Sequence, residues 1–121
     1  MIKCGIDILR TSRLANINPA IRERFIRRVY TKAEIAQAKD DNDTLSGIFA
    51  AKEAVSKALG TGIGKVAWQD IEVLHAPSGE PGVVLHGTAL EVAQSKGLVE
   101  WAVSITHEGG MAAAVAVAQS A

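Results

Sequence analysis

Apolar and polar residues alternate from Ile2 to Ile8, with Ile2, Cys4, Ile6 and Ile8 on one side and Lys3, Gly5 and Asp7 on the other. A period of two is that of a β-strand. It puts Asp7 on the polar side of a strand expected to be mostly buried. The period then lengthens. Asn18-Pro19 reads as an N-cap followed by a first helical position, and Ile21, Phe25 and Val29 form the apolar stripe behind it. Thr31 to Glu34 is a capping box that opens a short helix to about Lys39. A polar connection, Asp40 to Asp43, leads into the longest helical pattern of the chain. Asp43 or Thr44 is its expected N-cap and Gly60 its left-handed stop. Leu45, Ile48 or Phe49, Val55 and Leu59 lie along one side of it. Glu53, Ser56, Lys57 and Gly60 stack on another, because residues three and four apart are neighbours on a helix.

Ile71 and Val73, with Trp68 at the margin, mark a further strand. Pro77 to Gly82 is a turn, and Val83 to Leu85 returns. Thr88 to Glu91 is a second capping box, and Gly97 ends that helix. Alternation resumes from Val99 to Thr106, with Val99, Trp101, Val103 and Ile105 on one face and Ser104 and Thr106 on the other. His107 to Gly110 turns the chain. Met111 to Ala118 suits a helix by alanine content, but Val115 and Val117 among alternating alanines favour a strand with one very small face. Such a face lets the alanine-bearing long helix approach closely.

Composition narrows this picture. A length of 121 residues suits one domain, 1–121, and 48% hydrophobic residues exclude disorder. Aromatics are only 4%, so the expected core is aliphatic. No apolar run approaches a membrane span. Met1-Ile2-Lys3 leads directly into a strand pattern, so no secretory leader is expected. The single cysteine, Cys4, excludes an internal disulfide and suits a reducing cytoplasm. Charge is uneven. The first 32 residues hold eight basic side chains against Asp7 and Glu23, a surplus of +6 that the remainder balances. A basic segment on an otherwise acidic chain points to a negatively charged partner, or to packing against the acidic remainder. Nucleic acid is a poor fit, because no stacking aromatics or reading motif accompany the arginines.

The chemistry-bearing stretch is Ile48 to Lys65, IFAAKEAVSKALGTGIGK. A Glu four residues before a Lys is also the commonest helix-surface ion pair. Here the pair stands before Gly60, Gly62 and Gly64, so carboxylate, hydroxyl and ammonium face the same way beside a loop rich in N–H groups. That set suits a metal-bound phosphate. A dinucleotide fingerprint is excluded, because these glycines close a helix rather than open one. A P-loop is excluded too, because Val66 follows Gly64-Lys65.

Gly5-Ile-Asp7, then Phe49-Ala-Ala-Lys52-Glu53-Ala-Val-Ser-Lys57-Ala-Leu-Gly60-Thr-Gly62, then Ser104-Ile-Thr-His107 resemble the small bacterial members of the 4′-phosphopantetheinyl transferase family. The resemblance runs through essentially all of the chain, in order. It implies an α+β fold with an antiparallel sheet packed on a long helix, assembled as a homotrimer with coenzyme A between neighbouring subunits. It implies transfer of 4′-phosphopantetheine from coenzyme A to a serine of apo-acyl carrier protein in fatty acid biosynthesis, with no part for nucleic acid or membrane. Asp7 and Glu53 would hold Mg²⁺, which prefers one or two carboxylates plus phosphate oxygens. Lys57 would neutralise the diphosphate, with Gly60 and Gly62 amides beside it. Ser104 and His107 would meet the nucleotide end, His107 its 3′-phosphate. The base for the attacking serine is either Glu53 or a water held by the cation. Arg13, Arg24 and Arg28 match the positions that grip the acidic carrier, and Arg10, Arg22 and Arg27 are further candidates on chemistry alone. Two departures stand out. Ile48 occupies a position where the family commonly carries a phosphate-binding arginine, and Met111 replaces a frequent aromatic. The first leaves room for a relative that binds carrier protein without catalysis.

Overall fold

The computed structural model describes residues 1–121. The elements in order are β1 (Ile2–Arg10), α1 (Ser12–Ala15), α2 (Pro19–Val29), α3 (Lys32–Ala38), α4 (Asn42–Leu59), β2 (Ile71–His75), β3 (Pro81–Leu85), α5 (Gly87–Ser95), β4 (Leu98–Glu108) and β5 (Met111–Ser120). A 3₁₀ turn at Trp68–Asp70 precedes β2, so Trp68 lies outside the strand it was expected to border. One antiparallel sheet has the order β1-β5-β4, and β2 and β3 form a separate hairpin. The architecture is α+β, with α4 lying along β1 and β5.

The caps explain the element boundaries. Asn18 Oδ1 accepts the Ala20 amide ahead of Pro19, and the Thr31/Glu34 box forms in both directions. The long helix starts earlier than expected. Asp41, not Asp43 or Thr44, accepts the Thr44 amide and hydroxyl, so the polar connection is shorter by two residues. Gly60 ends the helix at φ 82°. The second capping box does not form, because the helix begins at Gly87 and leaves Thr88 inside it, with no side-chain cap from His86. Val99 is squeezed out of register by a bulge between Leu98 and Glu100, and so does not share the inner face of Trp101, Val103 and Ile105; it is 61% exposed.

The alanines of β5 behave as the alternation implies. Ala112, Ala114, Ala116 and Ala118 are all buried, as are Ala50, Ala51, Ala54 and Ala58 of α4. Gly5 makes the approach possible on β1, because a Cβ there would stand 2.0 Å from the Ala54 carbonyl oxygen. The faces of β1 are therefore reversed from the sequence expectation. Gly5, Asp7 and Leu9 pair with Ala116, Ala114 and Ala112 and turn towards α4. Ile2, Ile6 and Ile8 are 69%, 67% and 61% exposed, and Val115 and Val117 join them on the outer face. A strand with one apolar side hides that side by default. Here steric fit decided instead: only the side bearing glycine admits the helix.

Candidate active site

Asp7 leaves the inner face of β1 towards the second half of α4, where Glu53 and Lys57 are one turn apart. Lys57 Nζ lies 3.4 Å from Asp7 Oδ1 and donates to the Ile6 carbonyl at 2.9 Å. Asp7 is 19% exposed and Lys57 50%. Burial pushes the Glu53 carboxyl above its ordinary range, the Asp7 charge adds to this, and Lys57 partly offsets it. Two acids distant in sequence thus share one half-buried space. Their mutual repulsion, only partly compensated by one ammonium, is what a hard divalent cation would relieve. Two carboxylates with room for water and phosphate oxygens fit Mg²⁺.

Not every residue predicted for this site joins it. Ser56 is fully buried and its hydroxyl donates to the Glu53 carbonyl, so it does not point with Glu53 and Lys57. Four amides of the glycine loop are already spent. Gly60 N–H donates to Lys57, Thr61 and Gly62 N–H to Ser56, and Gly64 N–H to Val66. Gly60 and Gly62 therefore close the helix rather than present donors to a phosphate. Ser104 pairs with Val115 on the outer face of the sheet, away from Asp7 and Glu53. His107 lies at the other end of α4. Its Nε2 is 2.7 Å from the Asp43 carbonyl, and Gly47 leaves it room, since a Cβ there would come within 2.8 Å of the ring. Ten residues separate Asp43 from Glu53, roughly 15 Å of helix. Within one protomer Ser104 and His107 do not share a space with Asp7, Glu53 and Lys57. Ile48 is fully buried in the aliphatic core and faces no phosphate site.

Charge near the site is less diffuse than the sequence count implies. Arg22 bonds Asp40 at 2.8 Å and Asn42 at 2.6 Å, so it is occupied within the fold. Arg27 stands 3.7 Å from Glu23 on its own helix. Arg13, on the unforeseen helix α1, lines a cavity of about 260 Å³ with Leu9, Leu14, Ile17, Phe25 and Phe49 among its apolar walls. Leu9 follows Asp7 on the same face of β1, and Phe49 precedes Glu53 by one helical turn. The cavity therefore adjoins the two acids. Arg24 and Arg28 are exposed on α2.

Sequence reasoning gave no role to a second charged cluster. Lys52 and Glu34 are fully buried and 2.7 Å apart. Both were visible, Lys52 within the central motif and Glu34 as a capping residue. Nothing in the spacing showed that they would meet.

Against this geometry, the profile of the 4′-phosphopantetheinyl transferase superfamily matches residues 3–116. The chain belongs to that superfamily. Similar curated relatives are the holo-[acyl-carrier-protein] synthases of Carboxydothermus hydrogenoformans, 42% identical over 120 residues, and Alkaliphilus metalliredigens, 43% identical over 122. The first alignment covers 97% of each protein; the second covers 98% of this chain and 99% of that relative. Among solved structures, the Helicobacter pylori holo-[acyl-carrier-protein] synthase in complex with coenzyme A is 33% identical at a TM-score of 0.86, covering 98% of this chain and 100% of that one. The Neisseria meningitidis synthase matches equally, at 33% identity and a TM-score of 0.86, over 98% and 99% of the two chains. As a 4′-phosphopantetheinyl transferase the chain is a transferase. No helix is long and apolar enough to cross a membrane.

Proposed function

We propose that this transferase moves 4′-phosphopantetheine from coenzyme A to a serine hydroxyl of apo-acyl carrier protein, in an Mg²⁺-dependent reaction serving fatty acid biosynthesis in the cytoplasm. The observation that carries the reading is the convergence of Asp7, Glu53 and Lys57 on one half-buried space.

The residues divide the work. Asp7 and Glu53 would hold the cation, which when bound supplies charge neutralisation for the diphosphate. Lys57 reaches the same space and neutralises a diphosphate oxygen as negative charge builds on the leaving phosphate. The serine oxygen attacks the phosphorus bearing pantetheine, the bond to the other phosphate breaks, and adenosine 3′,5′-bisphosphate leaves. Glu53, whose carboxylate no hydrogen-bond donor of the chain engages, takes the serine proton. Little further covalent help is required, since phosphoryl transfer rests mainly on positioning and electrostatics.

The carrier docks on the other side of the acids. Arg13, Arg24 and Arg28 meet its negative charge, and the apolar cavity beside Arg13 supplies area that charge alone does not. Ser104 and His107 contribute to coenzyme A from a neighbouring subunit. Two facts support this: their distance from Glu53 within one protomer, and the uncovered outer sheet face of Ile2, Ile6, Ile8, Val115 and Val117. A homotrimer would bury that face and bring one subunit's β4 to the next subunit's acids. The buried Ile48 then leaves His107 as the main group at the nucleotide end.

The test is direct. Apo-acyl carrier protein, coenzyme A and Mg²⁺ are incubated with the enzyme, and the carrier is weighed by mass spectrometry. A gain of one phosphopantetheine, abolished by a chelator, is expected. Carrier binding without mass gain would instead indicate a non-catalytic relative, and nucleic-acid binding with no carrier interaction would overturn the reading entirely. In the same preparation, Ile6→Glu should shift sedimentation from trimer to monomer and remove turnover with it.

A further inference from the structure

The setting of α4 against the sheet decides where Glu53 stands, yet the surface between them is unusually smooth. The helix side carries Ala50, Ala51, Ala54 and Ala58, and the sheet side Gly5 and the alanines of β5. Small side chains permit close approach but interdigitate little. Such an interface opposes separation far more than rotation or axial sliding.

The opposite side of α4 is directional. Lys52 Nζ contacts Glu34 Oε1 at 2.7 Å and donates to the carbonyls of Trp68 at 3.0 Å and Ile71 at 2.5 Å. All three ammonium donors are used. Glu34 in turn accepts the Thr31 amide at Oε1, 2.8 Å, and the Val73 amide at Oε2, 2.7 Å. One buried ion pair therefore ties α4 to α3, to the 3₁₀ turn and to β2 at defined angles. A buried pair is weak evidence for stability, since well-packed apolar residues often serve as well. Its distinct contribution is direction, and the residue that receives it is the immediate neighbour of Glu53.

We propose that Lys52 is a positioning residue, anchored by Glu34, Trp68 and Ile71, that fixes the rotation and axial setting of α4 and thereby places the Glu53 carboxylate opposite Asp7. Lys52 itself, fully buried, touches no substrate. The inference rests on the proposed roles of Asp7 and Glu53.

The experiment compares Lys52→Met with wild type in the intact enzyme, at a temperature where circular dichroism shows both folded. Expected is a fall of about 10- to 100-fold in kcat and in Mn²⁺ affinity, the latter read by electron paramagnetic resonance with coenzyme A present. The KM for carrier protein should stay within roughly threefold, because the docking surface is untouched. Leu98→Ala, which opens a cavity in the core at the start of β4 without touching the Lys52–Glu34 pair, should leave kcat and Mn²⁺ affinity unchanged. If Lys52→Met does not fold, Glu34→Gln, which keeps the side-chain shape, carries the same readouts. Wild-type kcat and Mn²⁺ affinity in the folded variant, or an equal loss in Leu98→Ala, overturns the proposal. Full activity in Glu53→Gln overturns the underlying site reading instead, so the two failures are distinct.

Discussion

Two carboxylate–lysine clusters meet α4 barely a turn apart, and they differ in almost every physical respect. Lys52 and Glu34 are fully buried, 2.7 Å apart, with every polar atom engaged by backbone or by one another. Lys57 and Asp7 are 3.4 Å apart and partly exposed, and Glu53 beside them has charge neighbours but no hydrogen-bond donor. The first cluster is saturated and has no capacity left for a ligand. The second is underpaired, with two acids against one ammonium, and therefore has capacity for a cation. Proximity in sequence says nothing about this difference. Saturation marks architecture, and a deficit of partners marks chemistry.

Breaking the second cluster should abolish turnover without unfolding the protein. Glu53→Gln is expected to lower phosphopantetheine transfer by about 10²–10³-fold or more, with a thermal midpoint in chelator no lower than that of wild type. Near-normal transfer would remove Glu53 from the chemistry. Breaking the first cluster should cost stability first, with the loss of turnover following from a misplaced Glu53. Glu34→Ala leaves Lys52 buried and unpaired, at a cost of about 3–5 kcal/mol in urea unfolding. By contrast, Lys57→Ala should cost less than about 1 kcal/mol, as exposed pairs do. Equal losses from the two would erase the distinction drawn here.

Weaker effects sharpen the comparison further. Arg13→Glu should raise the KM for carrier protein roughly tenfold, about 1.4 kcal/mol, and flatten its salt dependence. Arg22→Glu should instead lower stability, because Arg22 is already held by Asp40 and Asn42. A fall in coenzyme A affinity for Arg13→Glu would show that this arginine belongs to the nucleotide side.

The smallest effect is in pH. Because the folded state raises the Glu53 pKa, protonated Glu53 favours folding. That contribution is fully present below the unfolded carboxylate pKa and is lost as pH rises through the higher folded value. Metal-free Glu53→Gln should therefore match wild type in acid and become slightly more stable than it above that window. Urea midpoints across pH, in chelator, measure this directly. A gain that grows towards acid would contradict the assigned shift.

Much of the architecture is legible in local signals. The Thr31/Glu34 box, the Asn18-Pro19 start and the Gly60 stop depend on neighbours a few residues away, and each forms as read. The alternating alanines of β5 identify a face that a helix can approach. Local signals mislead where two satisfactory answers compete. Asp41 and Asp43 are equally good caps by composition, and Asp41 wins. Thr88 has its box partner, yet the helix starts before it.

The sequence by itself determined most of the elements, several of their caps and the residue types at the candidate site, because these follow from propensity and short-range hydrogen bonding. Only the tertiary structure decided which side of β1 meets the helix, since a glycine Cβ gap, not hydrophobicity, sets that contact. It also decided that Ser56, Gly60 and Gly62 are spent on the helix end, that Ser104 and His107 stand apart from Glu53 within one protomer, and that Lys52 has a buried counterion in Glu34. Each of these is a matter of which groups find partners across long sequence separations, and pairing of that kind is settled by packing in three dimensions.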